Sequence, residues 1–307
     1  MREVLSRTGV LGAGGPMTGM PPSPESAFGE ASPVEGDVIC ALPISDALEV
    51  PETVGFCDGI QRFTVEGWIG VCPVVRASVS AAVLVRQERS LHPVASESHE
   101  FLVAPLDALD PAAVETLRST GFPLYDVGAS DRRHPTVDVR RAVQLVRQRR
   151  LACEVEVALR FRDRFPDAWL VVDGGLRGYE QLRGQSRLLG VIKSHETQYL
   201  AGRDLEVALT LPAGHRTSVF ERRAAAETAV HSWYVRLWEW EGRELLYGLL
   251  RLERPAGKDV VREAGAVSQW IFAERVPLSG DNRRWDRFLY PVYQVESYLR
   301  ARAGGWS

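Results

Sequence analysis

Lysine is nearly absent from this chain of 307 residues, in which Lys193 and Lys258 are the only lysines among 37 basic residues. Because 40 acidic residues balance the basic ones, the net charge is −3, and the chain as a whole carries no electrostatic footprint of a nucleic-acid-binding protein. The content of 45% hydrophobic and 25% charged residues is typical of a soluble protein. The length accommodates one large domain or two small ones.

Cysteine is also scarce, and no two of the four cysteines have CxxC spacing. This spacing excludes a zinc ribbon and a CxxC redox motif, and it predicts free thiols in a reduced environment. No apolar run is long enough to cross a membrane, and the N-terminus lacks the charged and then apolar pattern of a signal peptide. We therefore predict a cytoplasmic protein with no membrane partner.

Three common catalytic motifs are missing as well. His195-Glu196 is not continued as a zincin motif. His195 is expected to be a solvated loop histidine, and a position at the edge of the site is the alternative. Gly257-Lys258 lacks the upstream glycine of a P-loop, and no Gly-x-Ser-x-Gly elbow occurs. Any use of ATP is therefore expected to come from a partner.

Composition divides the chain into a tail and a folded domain. Residues 1–36 are rich in glycine, proline and serine, and we predict a disordered tail because they bury too little surface to offset the entropy of ordering. Residues 37–307 are predicted to be one folded domain. Strands interspersed with helices in this part indicate a mixed α/β domain around one sheet.

Hydrophobic periodicity predicts the elements of this domain. The predicted helices span residues 111–120, 137–165 and 290–303. The predicted strands span residues 54–63, 77–85, 169–173, 188–193, 205–211, 233–238, 245–252 and 270–275.

Two aspartates in this pattern follow apolar strands and precede a glycine. Asp173 ends the apolar run 169–172, and Asp58 is followed by Gly59 in a predicted turn. A carboxylate at the end of a buried strand is costly unless a cation meets it. Lys193, at the end of the next apolar strand, is one candidate cation, and a metal ion is another.

A glutamate of the long predicted helix is expected to join the two aspartates. At helical spacing, Glu154 shares a face with Leu151 and Phe161. Glu156 instead shares its face with Arg160. We therefore predict that Glu154 points to the core and that Glu156 points to water.

Two interpretations of these acids remain open. Oxygen ligands suit Mg²⁺ and Mn²⁺, and two such ions can activate a water and stabilise the leaving oxygen of a phosphodiester. Alternatively, Asp-Gly is simply a common turn, and a helical glutamate pairs with one of many arginines. The metal interpretation predicts that the carboxyl groups of Asp58, Glu154 and Asp173 lie within one metal-coordination shell.

The order of these motifs resembles the NurA nuclease family. The resemblance rests on Cys57-Asp58-Gly59, a helix with Arg150 and Glu154, the runs 172–176 and 190–193, and Tyr290-Pro291 before the last helix. It covers residues from 50 to the C-terminus, so residues 37–307 are predicted to be a NurA-like nuclease domain. The nineteen-residue step from Glu154 to Asp173 matches the family, whereas no such step singles out Glu156.

The resemblance implies an α/β fold with an RNase H-like mixed β-sheet core flanked by helices, plus additional β-rich and C-terminal helical elements. It also implies a homodimer that degrades DNA with Mn²⁺ or Mg²⁺ and acts in DNA end processing with a HerA-type hexameric ATPase. The residues implied for catalysis are Asp58, Glu154, Asp173, Lys193 and Tyr290. Asp58, Glu154 and Asp173 would ligate the metal, and Lys193 would face the phosphate.

The last predicted helix departs from the family pattern. A histidine is expected near Tyr298, but this chain has no histidine after His231, and Glu296 and Tyr298 both remain open as substitutes. An alternative hypothesis is therefore a catalytically impaired NurA-like subunit that serves as a DNA and translocase assembly partner. A nucleotide-binding protein of the actin and sugar-kinase type is disfavoured, because residues 60–61 lack the Gly, Ser or Thr of its phosphate loop.

A basic segment before the last predicted helix is expected to face DNA or a partner. Arg283, Arg284 and Arg287 lie in a polar, loop-like stretch close to Tyr290. A solvated charged loop is the alternative interpretation. The C-terminal tryptophans are predicted to be core or dimer contacts rather than stacking platforms for bases.

Overall fold

The computed structural model describes residues 27–44, 50–88, 90–130, 133–182, 184–195, 197–223, 229–275, 285–287 and 289–302. Most of the predicted tail, residues 1–26, lies outside the described residues. Within the remainder of that tail, β1 (Ala27–Phe28) and β2 (Glu30–Pro33) are strands. Strand structure is therefore present before the boundary at residue 37 that composition predicts.

The other described elements alternate between strands and helices. The strands are β3 (Ala41–Pro43), β4 (Val54–Ile69), β5 (Cys72–Gln87), β6 (Ser90–Ala104), β7 (Leu124–Asp126), β8 (Trp169–Asp173), β9 (Leu188–Ile192), β10 (Thr197–Gln198), β11 (His215–Thr217), β12 (Phe220–Arg223), β13 (Val230–Arg236) and β14 (Leu249–Pro255). The helices are α1 (Pro111–Arg118), α2 (Pro135–Arg164), α3 (Gly202–Leu209), α4 (Asp259–Ala273) and α5 (Tyr290–Arg302).

Most strands belong to one mixed sheet. Its order is β2-β12-β13-β14-β9-β8-β4-β5-β6-β7, with β11 beside β13 and β3 beside β11. The β4–β8 and β8–β9 pairs are parallel, whereas β4, β5 and β6 form long antiparallel pairs. The mixed α/β class predicted from the sequence is confirmed. In the described part of the chain, no helix is both long and apolar enough to cross a membrane.

Alternation along the central strands sends side chains into two hydrophobic cores. Cys57 and Val172 belong to the core beneath α2. Phe56 and Val171 belong to the core on the opposite face, beneath α4 and α5. The helices thus cover both faces of the sheet at the point where β4 and β8 pair.

Three sequence predictions about local structure are wrong. The predicted strand 205–211 is mainly helix α3, and the predicted strand 270–275 is mainly the end of α4. Short apolar runs do not distinguish a strand from a buried helical turn, and the described helices bury them on one face. Asp58 and Gly59 do not form a turn, because β4 pairs with β5 through both residues.

Candidate active site

Two aspartates lie side by side where β4 and β8 pair. The parallel register runs up to the pair Cys57–Val172. Asp58 and Asp173 are therefore the next residues on neighbouring strands, which are about 4.8 Å apart. The Nζ atom of Lys193, just beyond β9, lies 2.8 Å from Oδ1 of Asp173. The structure thus brings these two aspartates and the lysine together.

The environment of Asp58 leaves negative charge poorly compensated. Its side chain is buried, and Oδ1 accepts a hydrogen bond of 2.7 Å from the backbone N–H of Gly59. Burial raises the pKa of Asp58 well above its usual range, and the charges of Asp173 and Glu154 raise it further. Lys193 and the Gly59 N–H oppose this increase only in part. A cation would relieve the remaining repulsion between the two carboxylates.

Glu154 approaches β4 from the α2 face and is better compensated. It is 3% exposed, and a Cβ added to Gly59 would collide with its carboxylate, so glycine is required there. Arg150 donates from Nη1 to Oε1 of Glu154 at 2.7 Å and to the carbonyl oxygen of Gly59 at 3.1 Å. The hydroxyl of Tyr179 donates to Oε2 at 2.9 Å. Burial raises the pKa of Glu154. Arg150 and Tyr179 offset part of that pKa increase, and the charge of Asp173 adds to it.

The predicted choice between the two helical glutamates is confirmed. The side chain of Glu156 is 47% exposed and pairs with Arg160 on the surface, whereas Glu154 is buried. The face assigned from helical spacing is therefore the face observed.

The three acids are not gathered into one ligand group. Within the described ranges, no three or more His, Cys, Asp or Glu side chains are arranged to hold a metal ion. Asp58 and Asp173 fit an oxygen-ligated divalent ion through their donor chemistry and their incompletely compensated charge. The two carboxylate oxygens of Glu154 accept hydrogen bonds from Arg150 and Tyr179. Its role as a third ligand stays a prediction.

Glycines shape the turn that follows Asp173. Gly174 has a φ of +119°, which favours glycine, and its N–H donates to the carbonyl oxygen of Val191 at 2.8 Å. A Cβ on Gly190 would lie 2.7 Å from the carbonyl oxygen of Gly174. Because glycine has no side chain, the backbones at the ends of β8 and β9 can approach each other closely next to Asp173.

Glu253 of β14 holds the same turn. Its Oε2 accepts the N–H of Leu176 at 2.9 Å, and a Cβ on Gly175 would lie 3.0 Å from that oxygen. Its Oε1 lies 2.5 Å from Nη1 of Arg251 and 3.4 Å from Nε of Arg222. Glu253 is buried, so the two arginines neutralise a carboxylate that would otherwise be costly in this position.

Sequence reasoning missed both Tyr179 and Glu253. A signal for Glu253 was present, because an acid inside an apolar strand needs a buried partner. Tyr179 carried no comparable signal, since its contact with Glu154 depends on how the loop after Asp173 crosses α2. That loop packs closely on the helix, because a Cβ on Gly178 would collide with Leu151.

His195 lies at the margin of the site and is not the solvated histidine expected from the sequence. Its Nε2 atom lies 3.0 Å from the carbonyl oxygen of Leu249. Burial lowers the pKa of His195 to about 4 and outweighs the opposite effect of this hydrogen bond. The imidazole is therefore neutral at physiological pH.

The predicted DNA-facing arginines are only partly described. Arg287 donates from Nη1 to the carbonyl oxygen of Lys193 at 3.3 Å and from Nη2 to Glu244 at 3.0 Å. It closes the margin of the site beside Lys193 rather than extending freely into solvent. Arg283 and Arg284 lie outside the described residues. A DNA contact by any of the three stays a prediction.

The C-terminal helix places its tyrosines differently. Tyr290 begins α5 and is 52% exposed, and its backbone N–H donates to the carbonyl oxygen of Glu274 at 2.8 Å. Tyr298, near the position of the expected histidine, packs against the core beneath α5, with the guanidinium of Arg302 5.4 Å from its ring centroid. The catalytic role of Tyr290 stays a prediction.

The fold is similar to that of a known nuclease. No protein-family model and no curated protein matches this chain. The crystal structure of the NurA nuclease from Sulfolobus solfataricus is similar, with a TM-score of 0.51 and 10% identity over 83% of this chain and 81% of that chain. The catalytic domain of human endonuclease V gives a TM-score of only 0.34, with 17% identity over 83% and 85% of the two chains, which is too low to indicate a shared fold.

A likeness at 10% identity shows the fold alone. The predicted α/β architecture, a large mixed sheet flanked by helices, is therefore confirmed as similar to the NurA nuclease fold. Membership of the family stays a prediction.

Proposed function

We propose that this chain is a metal-dependent deoxyribonuclease that hydrolyses phosphodiester bonds. The observation that carries the proposal is the adjacent pair Asp58 and Asp173, with Lys193 bonded to Asp173. The fold in which this pair occurs, similar to that of the NurA nuclease, supports it further. We infer Mn²⁺ or Mg²⁺ as the ion, because both prefer oxygen ligands.

In this proposal Asp58 and Asp173 hold the divalent ion. A bound ion would supply Lewis acidity and a water of lowered pKa. Lys193, fixed by its ion pair with Asp173, places positive charge where phosphate oxygens gain negative charge. Tyr290, exposed at the start of α5, would contact the substrate.

Glu154 has a positioning role in the observed arrangement. Arg150 links its carboxylate to the carbonyl oxygen of Gly59, so the pair restrains the backbone directly after Asp58. As a third ligand, Glu154 would instead contact the ion through a carboxylate oxygen. The two roles are distinguishable, because only the second requires contact between Glu154 and the ion.

We further infer a homodimer that acts with a HerA-type hexameric ATPase in DNA end processing. The order of the sequence motifs and the NurA-like fold support this inference. Purified chain should therefore run as a dimer in sedimentation and should bind such a translocase. A chain that sediments as a monomer and does not bind the translocase would contradict this part of the proposal.

Cleavage of linear DNA by the purified chain tests the proposed activity. The wild type should cleave with Mn²⁺ and stop with EDTA, and Asp58→Asn and Asp173→Asn should each lose about a hundredfold or more. Glu156→Gln, which removes an exposed acid, is the matched control and should cleave normally. Unchanged cleavage in both folded aspartate variants would reject the assignment.

A second candidate function is that of a catalytically impaired subunit kept for assembly on DNA and a translocase. The partners of Glu154 favour it, because the carboxylate of this acid is engaged by Arg150 and Tyr179. It predicts translocase binding without Mn²⁺-dependent cleavage. Robust cleavage by the wild type would reject it.

A further inference from the structure

The helix that carries Glu154 also carries a concentrated run of positive charge. Between Asp138 and Glu154, α2 contains five arginines and no acid. Asp138 does not offset them at the surface, because it is buried and pairs with Arg133 at 3.1 Å. The run therefore remains basic in a chain whose net charge is −3.

Two of these arginines lie in line with Glu154. Arg140, Arg147 and Glu154 are spaced by seven residues, which is about two helical turns, so they occupy one flank of α2. Each step is about 10 Å at a rise of about 1.5 Å per residue. Gln144 is exposed between the two arginines. Leu151, on the same flank, packs against the loop that follows Asp173.

The side chains of this row are available, whereas those of the opposite flank are engaged. Arg140 is exposed and Arg147 is half-buried, and neither side chain has a hydrogen bond or ion pair with another residue in the ranges described. On the opposite flank, the guanidinium of Arg149 lies 3.8 Å from the ring centroid of Tyr125. Arg160 pairs there with Glu97 and Glu156.

We propose that Arg140, Gln144 and Arg147 form a track that binds the phosphate backbone of a DNA strand and leads it to the Asp58–Asp173 pair. The proposal rests on the nuclease function proposed above. Arginine suits this task because its planar donors match phosphate oxygens. Arginines about 10 Å apart would contact phosphates about three nucleotides apart in a strand that keeps the duplex rise of about 3.4 Å per nucleotide.

The test compares two double variants that remove the same charge from the same helix. Arg140→Gln/Arg147→Gln removes the track, and Arg149→Gln/Arg160→Gln is the matched control on the opposite flank. Binding of a fluorescent single-stranded DNA oligonucleotide is measured by anisotropy in EDTA over a range of salt concentrations. EDTA separates binding from cleavage, and circular dichroism with thermal melting checks the fold.

The track variant should bind DNA about tenfold more weakly than the wild type. The slope of log affinity against log salt concentration should fall in magnitude by about 1.4, because each lost phosphate contact on a single strand contributes about 0.7. The control should bind within about twofold of the wild type. If the double variant does not fold, Arg140→Gln and Arg147→Gln singly should each reduce the slope by about 0.7.

Equal affinity and slope in the track variant and the wild type would overturn the proposal, and so would an equal loss in the control. Cleavage assays with Mn²⁺ on the same proteins separate this outcome from failure of the proposed function. If the track variant binds DNA more weakly and the wild type does not cleave, the track is supported and the nuclease function is rejected. If the track variant binds DNA normally and the wild type cleaves, the nuclease function is supported and the track is rejected.

Discussion

The carboxylates around the end of β8 are in different electrostatic states. Asp58 and Asp173 share one lysine, and burial with mutual repulsion raises the pKa of Asp58 well above its usual range. Glu154, which reaches β4 from α2, has Arg150 and a tyrosine hydroxyl as partners, and these offset part of the effect of burial on its pKa.

This difference separates the positions that can accept a ligand from those that maintain structure. A carboxylate with two side-chain donors gains less from a cation than a pair of carboxylates that repel each other. The aspartate pair is therefore the part of the predicted site that a bound cation would stabilise most.

The largest expected effect concerns the turn behind Asp173. Glu253→Ala leaves Arg251 and Arg222 without their buried carboxylate and removes the acceptor of the Leu176 N–H. The free energy of unfolding should fall by about 3–5 kcal/mol, measured by urea denaturation. Glu156→Ala, at an exposed position, should change it by less than about 0.5 kcal/mol. A loss below about 1 kcal/mol in Glu253→Ala would mean that this network does not support the turn.

The next largest effect is expected from burial of the imidazole of His195. The pKa of His195 is about 4, so the unfolded chain binds a proton between pH 6.5 and 4 that the folded chain excludes. Stability is therefore full above pH 6.5 and falls by up to about 3 kcal/mol as the pH drops to 4. In His195→Gln this contribution should vanish from denaturation curves measured across that range. An unchanged pH dependence would contradict the assigned environment.

Removing one partner of Glu154 should have a similar or smaller effect. In Tyr179→Phe, Oε2 of a buried carboxylate loses its donor, so the free energy of unfolding at neutral pH should fall by about 1.5–3 kcal/mol. Tyr290→Phe, at an exposed position, is the control and should be neutral within about 0.5 kcal/mol. Equal stability of Tyr179→Phe and wild type would show that Glu154 does not depend on the hydroxyl.

The smallest expected effect has the opposite sign. Without divalent ions, Asp58→Asn should stabilise the fold by about 1 kcal/mol at pH 8, because it removes one of two repelling carboxylates. The raised pKa means that ionisation costs stability as the pH rises, so the gain should disappear near pH 4. Glu154→Gln should gain less, since it also loses compensating partners. A pH-independent loss in Asp58→Asn would contradict the contrast.

Much of the site was predictable because strand alternation and helical spacing are local properties. They identified the strand that ends at Asp173, the lysine after β9 and the buried face of Glu154. Predictions from these local patterns were wrong where pairing with a strand distant in sequence determines the structure. Asp58 lies inside a continuous strand because β5 pairs along its whole length, and no local pattern records that partner.

The partners of the acids were less predictable for the same reason. Glu253 reaches the turn after Asp173 from β14, two strands away in the sheet. Tyr179 meets Glu154 only through the packing of a loop on α2. Such contacts depend on tertiary structure, so the electrostatic state of each acid could not be derived from spacing.

Direct titration of Mn²⁺ into the purified chain, followed by the loss of the free-ion electron paramagnetic resonance signal, tests the central claim. The aspartate pair predicts binding by the wild type, loss of binding in Asp58→Asn and Asp173→Asn, and retained binding in Glu154→Gln. Unchanged Mn²⁺ binding in both folded aspartate variants would contradict it.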